Sequence, residues 1–377
     1  MTKSAWLSRR TFMHMMGLAP IAARTGWAMT CGSRIAYAGA IPESQGGHER
    51  RDEIRVYGIW GERWKLKQVV ASAAPVSLTV HPNRRFLYAV NEVDRYEGLP
   101  TGTVEAYAID AEGKLTFLNR RALSLSATLP SHLALSPDGR SAIVSVHGGG
   151  AYNLLSVGED GRLGRITGIV KETGCGPRVT DQDTAHPQMT IFDSAGRHVL
   201  AVDMGANRLS VLSMEDGKFA VRERHALDAA SGPRQIALHP TGRWIYVANG
   251  LDGSVNGYEY DSMRNRVLDR VAQVEAGAGA TMALHPSGEF LYTADDESGM
   301  RNWKVDAATG RLAAAGKQQE SPGGVRAMTF DNKSTGLIVL SDALKAIVRL
   351  PIALGSGRLG QRVLVASAPG LRSIAIL

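Results

Sequence analysis

The chain has 377 residues, of which 44% are apolar and 21% charged, a balance that supports a packed core and excludes wholesale disorder. No apolar run approaches the roughly 18 residues of a membrane-spanning helix, and the 42 glycines suit a fold rich in tight turns. The formal charge is +7, but Lys3, Arg9, Arg10 and Arg24 precede residue 29 with no acid among them, so the remainder carries about +3 and lacks the charge of a nucleic-acid binder.

The first element is an address. Residues 8–13, Ser-Arg-Arg-Thr-Phe-Met, resemble the twin-arginine export motif, in which two arginines precede a phenylalanine and a modest apolar stretch. Residues 1–28 are therefore read as a signal peptide ending near Gly26-Trp27-Ala28, with an apolar segment short for an anchor. The resemblance implies a periplasmic protein that crosses the twin-arginine translocase already folded and keeps no stable membrane insertion after processing. The two cysteines, Cys31 and Cys175, match no zinc or haem spacing. An oxidising compartment would permit a disulfide between them.

Residues 33–377 are read as one domain. Residues 34–38, 53–58 and 64–70 are β-rich, with a polar loop over 42–51. Six repeats follow. The clearest are His81-Pro-Asn-Arg-Arg-Phe-Leu-Tyr-Ala-Val-Asn91, Ser136-Pro-Asp-Gly-Arg-Ser-Ala-Ile-Val-Ser-Val146, His239-Pro-Thr-Gly-Arg-Trp-Ile-Tyr-Val-Ala-Asn249 and His285-Pro-Ser-Gly-Glu-Phe-Leu-Tyr-Thr-Ala-Asp295. Weaker copies begin at Asp193 and Asp331, so the steps along the chain are 55, 57, 46, 46 and 46 residues. That period is one four-stranded blade of a β-propeller. In each unit a short apolar strand leads through a Pro- or Gly-containing turn into a second, β-branched and aromatic strand, and two further strands complete the blade. Residues 372–377 look like a first strand with nothing after it, and residues 34–38 like a second with nothing before it. Joined, they make a seventh blade, close the ring and remove both sheet edges. The expected fold class is all-β, a seven-bladed propeller closed by strands from both ends of the chain.

The register locates a candidate site. First strands line the central channel, and second strands return to the same face. Val76, Ser131, Gln188, Arg234, Ala280 and Arg326 begin the first strands, flanked by His132 and His186. Asn91-Glu92, His147, Asp203, Asn249-Gly250, Asp295-Asp296 and Asp342 stand at the ends of the second strands. Acids, amides, histidines and arginines thus share one rim, whereas the turn positions His81, His239 and His285 are read as structural. The candidate catalytic groups are His186, Arg234 and Arg326. Asn91, Glu92, His132, Asp203, Asn249 and Asp295 are the candidate substrate-binding groups.

Several phrases resemble the seven-bladed lactonase family that contains bacterial 6-phosphogluconolactonase and the fungal carboxymuconate cycloisomerase: Tyr88-Ala-Val-Asn-Glu92, Ala185-His-Pro187, Val202-Asp-Met-Gly205, Gly232-Pro-Arg234, Tyr246-Val-Ala-Asn249 and Gly323-Gly-Val-Arg326. By motif, the resemblance implies that His186, Arg234 and Arg326 are catalytic. The chain departs from the family at Gly250, where a glutamate is expected, at Gln188 and Gln235, each in place of a histidine, and at Val325, in place of a proline.

Opening a lactone requires a water aimed at the ring carbonyl, a base for its proton and donors where oxyanion charge develops. His186 is the candidate base, because its type titrates near neutrality. Arg234 and Arg326 suit the oxyanion or a carboxylate. Export favours an unphosphorylated sugar or other organic lactone. The alternative is a non-catalytic propeller that binds a ligand or protein partner, a reading favoured by the missing glutamate. A third is a hydrolase using Ca²⁺ held by Asn91, Asp203, Asn249 and Asp295. No redox cofactor is expected, because a Cys-x-x-Cys-His sequence is absent.

Overall fold

In the computed structural model, residues 34–42, 51–214, 218–295, 299–316 and 319–377 are described. The expected signal segment, Cys31, Asp296 and most of the polar loop lie outside them. The described residues form seven four-stranded antiparallel sheets. Blade one joins Leu371–Ile376 to Arg34–Ala40, Glu53–Trp60 and Arg63–Ala71. Blades two to seven occupy 75–122, 130–171, 187–226, 233–275, 281–314 and 325–367 in turn. The ring closes as the sequence suggests: Ala36 pairs with Ile376, Tyr37 with Ala375 and Ala38 with Ile374.

Burial within a blade follows composition. Second strands are buried along most or all of their length, from end to end in Trp244–Asn249 and Phe86–Asn91, which explains their β-branched and aromatic runs. Fourth strands face water on one side and alternate, as in Ala220–Ala226. The core is divided into seven apolar clusters, one at each blade interface. Each blade is therefore stabilised mainly by its neighbours.

A periodic tyrosine reinforces four of these interfaces. The hydroxyls of Tyr37, Tyr88, Tyr246 and Tyr292 donate to the carbonyls of Gly113, Gly161, Gly310 and Gly357 at 2.9–3.0 Å. Each glycine belongs to the turn between the third and fourth strands of the next blade, where φ is positive. A side chain at these positions would be strained. Turn histidines make a second set of ties: His81 Nε2 lies 3.0 Å from the Gly139 carbonyl and His285 Nε2 2.8 Å from that of Ser334, each in the following blade.

Candidate functional site

The first strands do not pair evenly with the second strands. In six of the seven blades the ladder skips one residue at the start of the first strand. The skipped residues are Val76, Ser131, Gln188, Arg234, Arg326 and Arg372. A β-bulge of this kind leaves a residue outside the ladder and re-aims its side chain. All six line one central cavity of about 680 Å³. Blade six has no such shift, and a smaller cavity of about 310 Å³, bordered by Arg234, Asp295 and Arg326, opens there.

The cavity mouth carries three guanidiniums and a carboxylate. Glu92 follows the second strand of blade two, its backbone N–H bound to the Ala74 carbonyl at 3.0 Å. Its side chain is open to the cavity but crowded by the channel walls, and this desolvation raises its pKa against the opposing pull of Arg372 and Arg234. Desolvation likewise lowers the pKa of Arg234; Arg326 adds to the lowering and Glu92 opposes it. Neither Glu92 nor Arg234 has a side-chain hydrogen bond to another described residue. Arg326 does: its Nε and Nη2 donate to Asp342 Oδ2 at 3.0 and 2.7 Å. Arg372 Nη1 approaches the same oxygen at 3.6 Å.

A pair of histidines lies close by, in blades three and four. His147 and His186 stack, with ring centroids 4.4 Å apart. His186 Nδ1 lies 3.1 Å from the His147 carbonyl and Nε2 2.8 Å from Asp183 Oδ1. Both partners are acceptors, so in either neutral tautomer one ring nitrogen donates to one of them. His147 Nδ1 is 2.6 Å from Gln188 Nε2. Burial, with His186 and Arg234 nearby, pushes the His147 pKa down to about 4. His132 lines the central cavity, where burial also pushes it down to about 4, and among the described residues its Nδ1 has no hydrogen-bond partner. Both rings are neutral near pH 7.

The structure separates the sequence-derived candidates into groups. Glu92, His132, Arg234 and Arg326 line the central cavity. His186, stacked on His147, lies outside that lining, as His147 does. Asp295 borders the side cavity. Asn91, Asp203 and Asn249, expected at the rim, are turned into their own blades instead, because local loops claim their polar atoms. Asn91 donates to the Ala73 carbonyl at 2.7 Å and to Glu105 at 3.2 Å. Asp203 Oδ1 accepts from the backbone N–H groups of His186 and Ala206 at 2.8 and 3.0 Å, so it positions His186. Asn249 donates to Ser254 at 2.8 Å. The four oxygen donors considered for Ca²⁺ therefore do not converge, and among the described residues no group of three or more His, Cys, Asp or Glu is gathered for a metal.

Two groups were missed from the candidates. Arg372 occupies the same bulge as Arg234 and Arg326, but in the closing strand, to which the register was not carried. His147 follows the second strand of blade three, as Glu92 follows that of blade two. Gly250 lies against Arg234: a Cβ there would stand 3.5 Å from Arg234 Cδ, so the glutamate absent at this position would have reached the guanidinium.

A closed ring of seven four-stranded blades, with its polar groups gathered at one mouth of the channel, defines a class of propeller. The chain matches the family described as "Lactonase, 7-bladed beta-propeller" over residues 50–372 and belongs to it. Among curated relatives, a 6-phosphogluconolactonase of Bacillus subtilis (strain 168) is 29% identical over 188 residues, covering 50% of this chain and 52% of the relative. A 6-phosphogluconolactonase of Pectobacterium carotovorum is 28% identical over 241 residues, covering 63% and 64%. The match thus spans about half to under two thirds of these relatives. Among solved structures, the periplasmic gluconolactonase of Pseudomonas aeruginosa superposes with a TM-score of 0.78 at 22% identity, over 91% of this chain and 99% of that one. That likeness is one of fold.

Proposed function

We propose that the protein opens a lactone ring by hydrolysis at the mouth of the channel. The observation that carries the reading is that a desolvated carboxylate, Glu92, and a guanidinium, Arg234, share one cavity without hydrogen-bonding to other described residues. Groups left unsatisfied in a cleft are suited to a ligand. Family membership and the names of the two curated relatives support the same reaction class.

Glu92 takes a proton from water as the water oxygen attacks the ring carbonyl carbon. Charge that develops on the carbonyl oxygen meets Arg234. As the intermediate collapses, the ring C–O bond breaks and the departing alkoxide receives the proton from Glu92. The hydroxy acid formed then ionises and releases one proton to solvent. Glu92 fills the role of base in this scheme, in place of His186, because both His186 nitrogens already face acceptors. The proposal extends to export through the twin-arginine route and to an unphosphorylated lactone outside the cytoplasm, supported by residues 8–13.

The test is proton release in a pH-stat from glucono-δ-lactone and a panel of small lactones. Wild type is expected to exceed the spontaneous rate, and Glu92→Gln to lose about 10²- to 10⁴-fold in kcat. No release above background for any lactone from folded protein would refute the proposal and favour the ligand-binding reading, with Gly250 marking lost catalysis.

A further inference from the structure

Arg372 stands in the strand that closes the ring, at the one bulge position not reached by reading the repeats. Its side chain is one-third exposed and contacts Asp342 Oδ2 only at 3.6 Å, while the adjacent Arg326 takes the same oxygen with two nitrogens at 3.0 and 2.7 Å. One carboxylate thus spaces two guanidiniums from neighbouring blades. Arg326 is oriented by its two bonds, and Arg372 retains donors that face the cavity. The mouth as a whole holds Arg234, Arg326 and Arg372 against Glu92 and Asp342, a surplus of one positive charge. Like charges held side by side are a standing cost that a bound anion removes. Planar guanidiniums also meet an oxyanion group in two-pronged fashion.

We propose that Arg372, set beside Arg326 by Asp342, binds an anionic oxygen group of the ligand and so sets specificity for acidic over neutral lactones. The inference rests on the lactonase reading for its kinetic arm and is independent of it for its binding arm. A carboxylate or phosphoryl substituent, or the carboxylate of the opened product, would present the same chemistry.

Three probes separate these sources: neutral glucono-δ-lactone, 5-oxotetrahydrofuran-2-carboxylate and inorganic phosphate. In the kinetic arm, Arg372→Gln is expected to raise KM for the carboxylated lactone at least about tenfold more than it changes KM for the neutral lactone. Arg372→Lys should recover part of the loss. In the binding arm, titration calorimetry should show phosphate binding to wild type and binding about tenfold or more weaker for Arg372→Gln, whether or not any lactone is opened. Unchanged urea midpoints for both variants establish that the fold is intact. Should Arg372→Gln destabilise the closing strand, the ratio of the two lactones' constants and the Lys variant decide. An equal change for both lactones, or phosphate binding indifferent to residue 372, overturns the proposal. Phosphate binding that depends on Arg372 without opening of any lactone would leave this inference standing and remove the lactonase reading.

Discussion

The tyrosine ties between blades make a quantitative claim about what holds the ring. Tyr246 is fully buried and donates to the buried carbonyl of Gly310 across the interface of blades five and six. Tyr246→Phe keeps the ring and its packing on Gly257, where a Cβ would already stand 3.1 Å from the aromatic edge. Only the hydroxyl is lost. A typical hydrogen bond contributes about 1 kcal/mol net, and a carbonyl left buried without a partner adds to that, so a loss of about 1–2 kcal/mol is expected. In a domain of this size that is only roughly 1–3 °C in Tm, so urea unfolding followed by tryptophan fluorescence is the better assay, with a midpoint lower by a few tenths of a molar. Tyr292→Phe removes the equivalent bond between blades six and seven. The two losses should add to within about 0.5 kcal/mol. An unchanged midpoint for either single variant would refute the claim that these bonds stabilise the ring.

Two further predictions concern the site. Because desolvation raises the Glu92 pKa, the acidic limb of kcat/KM should lie above the ordinary carboxylate range, with activity falling as pH drops through it; a pH-rate profile of wild type beside Glu92→Gln checks this, and a limb that persists in the variant assigns the base elsewhere. The same shift fixes the sign for stability: a carboxylate whose folded pKa exceeds its unfolded value loses stability as pH rises through that interval, so Glu92→Gln should unfold at higher urea than wild type near pH 7 and at the same urea in acid. Gly250 does not occupy the positive-φ region, so Gly250→Glu should fold and bring a carboxylate to Arg234. In the Glu92→Gln background it should recover at least about tenfold in kcat, and failure to do so in folded protein would show that the two positions are not interchangeable.

The fold was legible because a propeller repeats its turns. A histidine, serine or aspartate ahead of each second strand, at steps of 46 to 57 residues, identifies blades two to seven, and the two unpaired apolar segments at 34–38 and 372–377 leave only one way to close the sheet. The face on which the candidate site's polar groups gather was readable for the same reason. Which side chains reach the cavity was not. Asn91, Asp203 and Asn249 stand at strand ends beside the rim, but each is one strand removed from the channel and is taken by its own loop, a matter of local hydrogen bonding that residue type does not reveal. The bulges were equally hidden. Nothing in the composition of Pro233-Arg234-Gln235 says that the middle residue leaves the ladder, and only pairing across to Asn249 and Ala248 discloses it.

Those bulges bear on how such a protein acquires new chemistry. A residue outside the ladder bears little of the pairing that aligns its strands, so its identity is constrained chiefly by what occupies the channel. The six positions hold valine, serine, glutamine and three arginines on sheets that otherwise pair alike. Selection can therefore alter charge, size and hydrogen-bonding capacity blade by blade while the interface cores stay as they are. A ring of this design evolves by exchanging single residues at the seams between strands, with no need to lengthen a loop or rebuild a sheet.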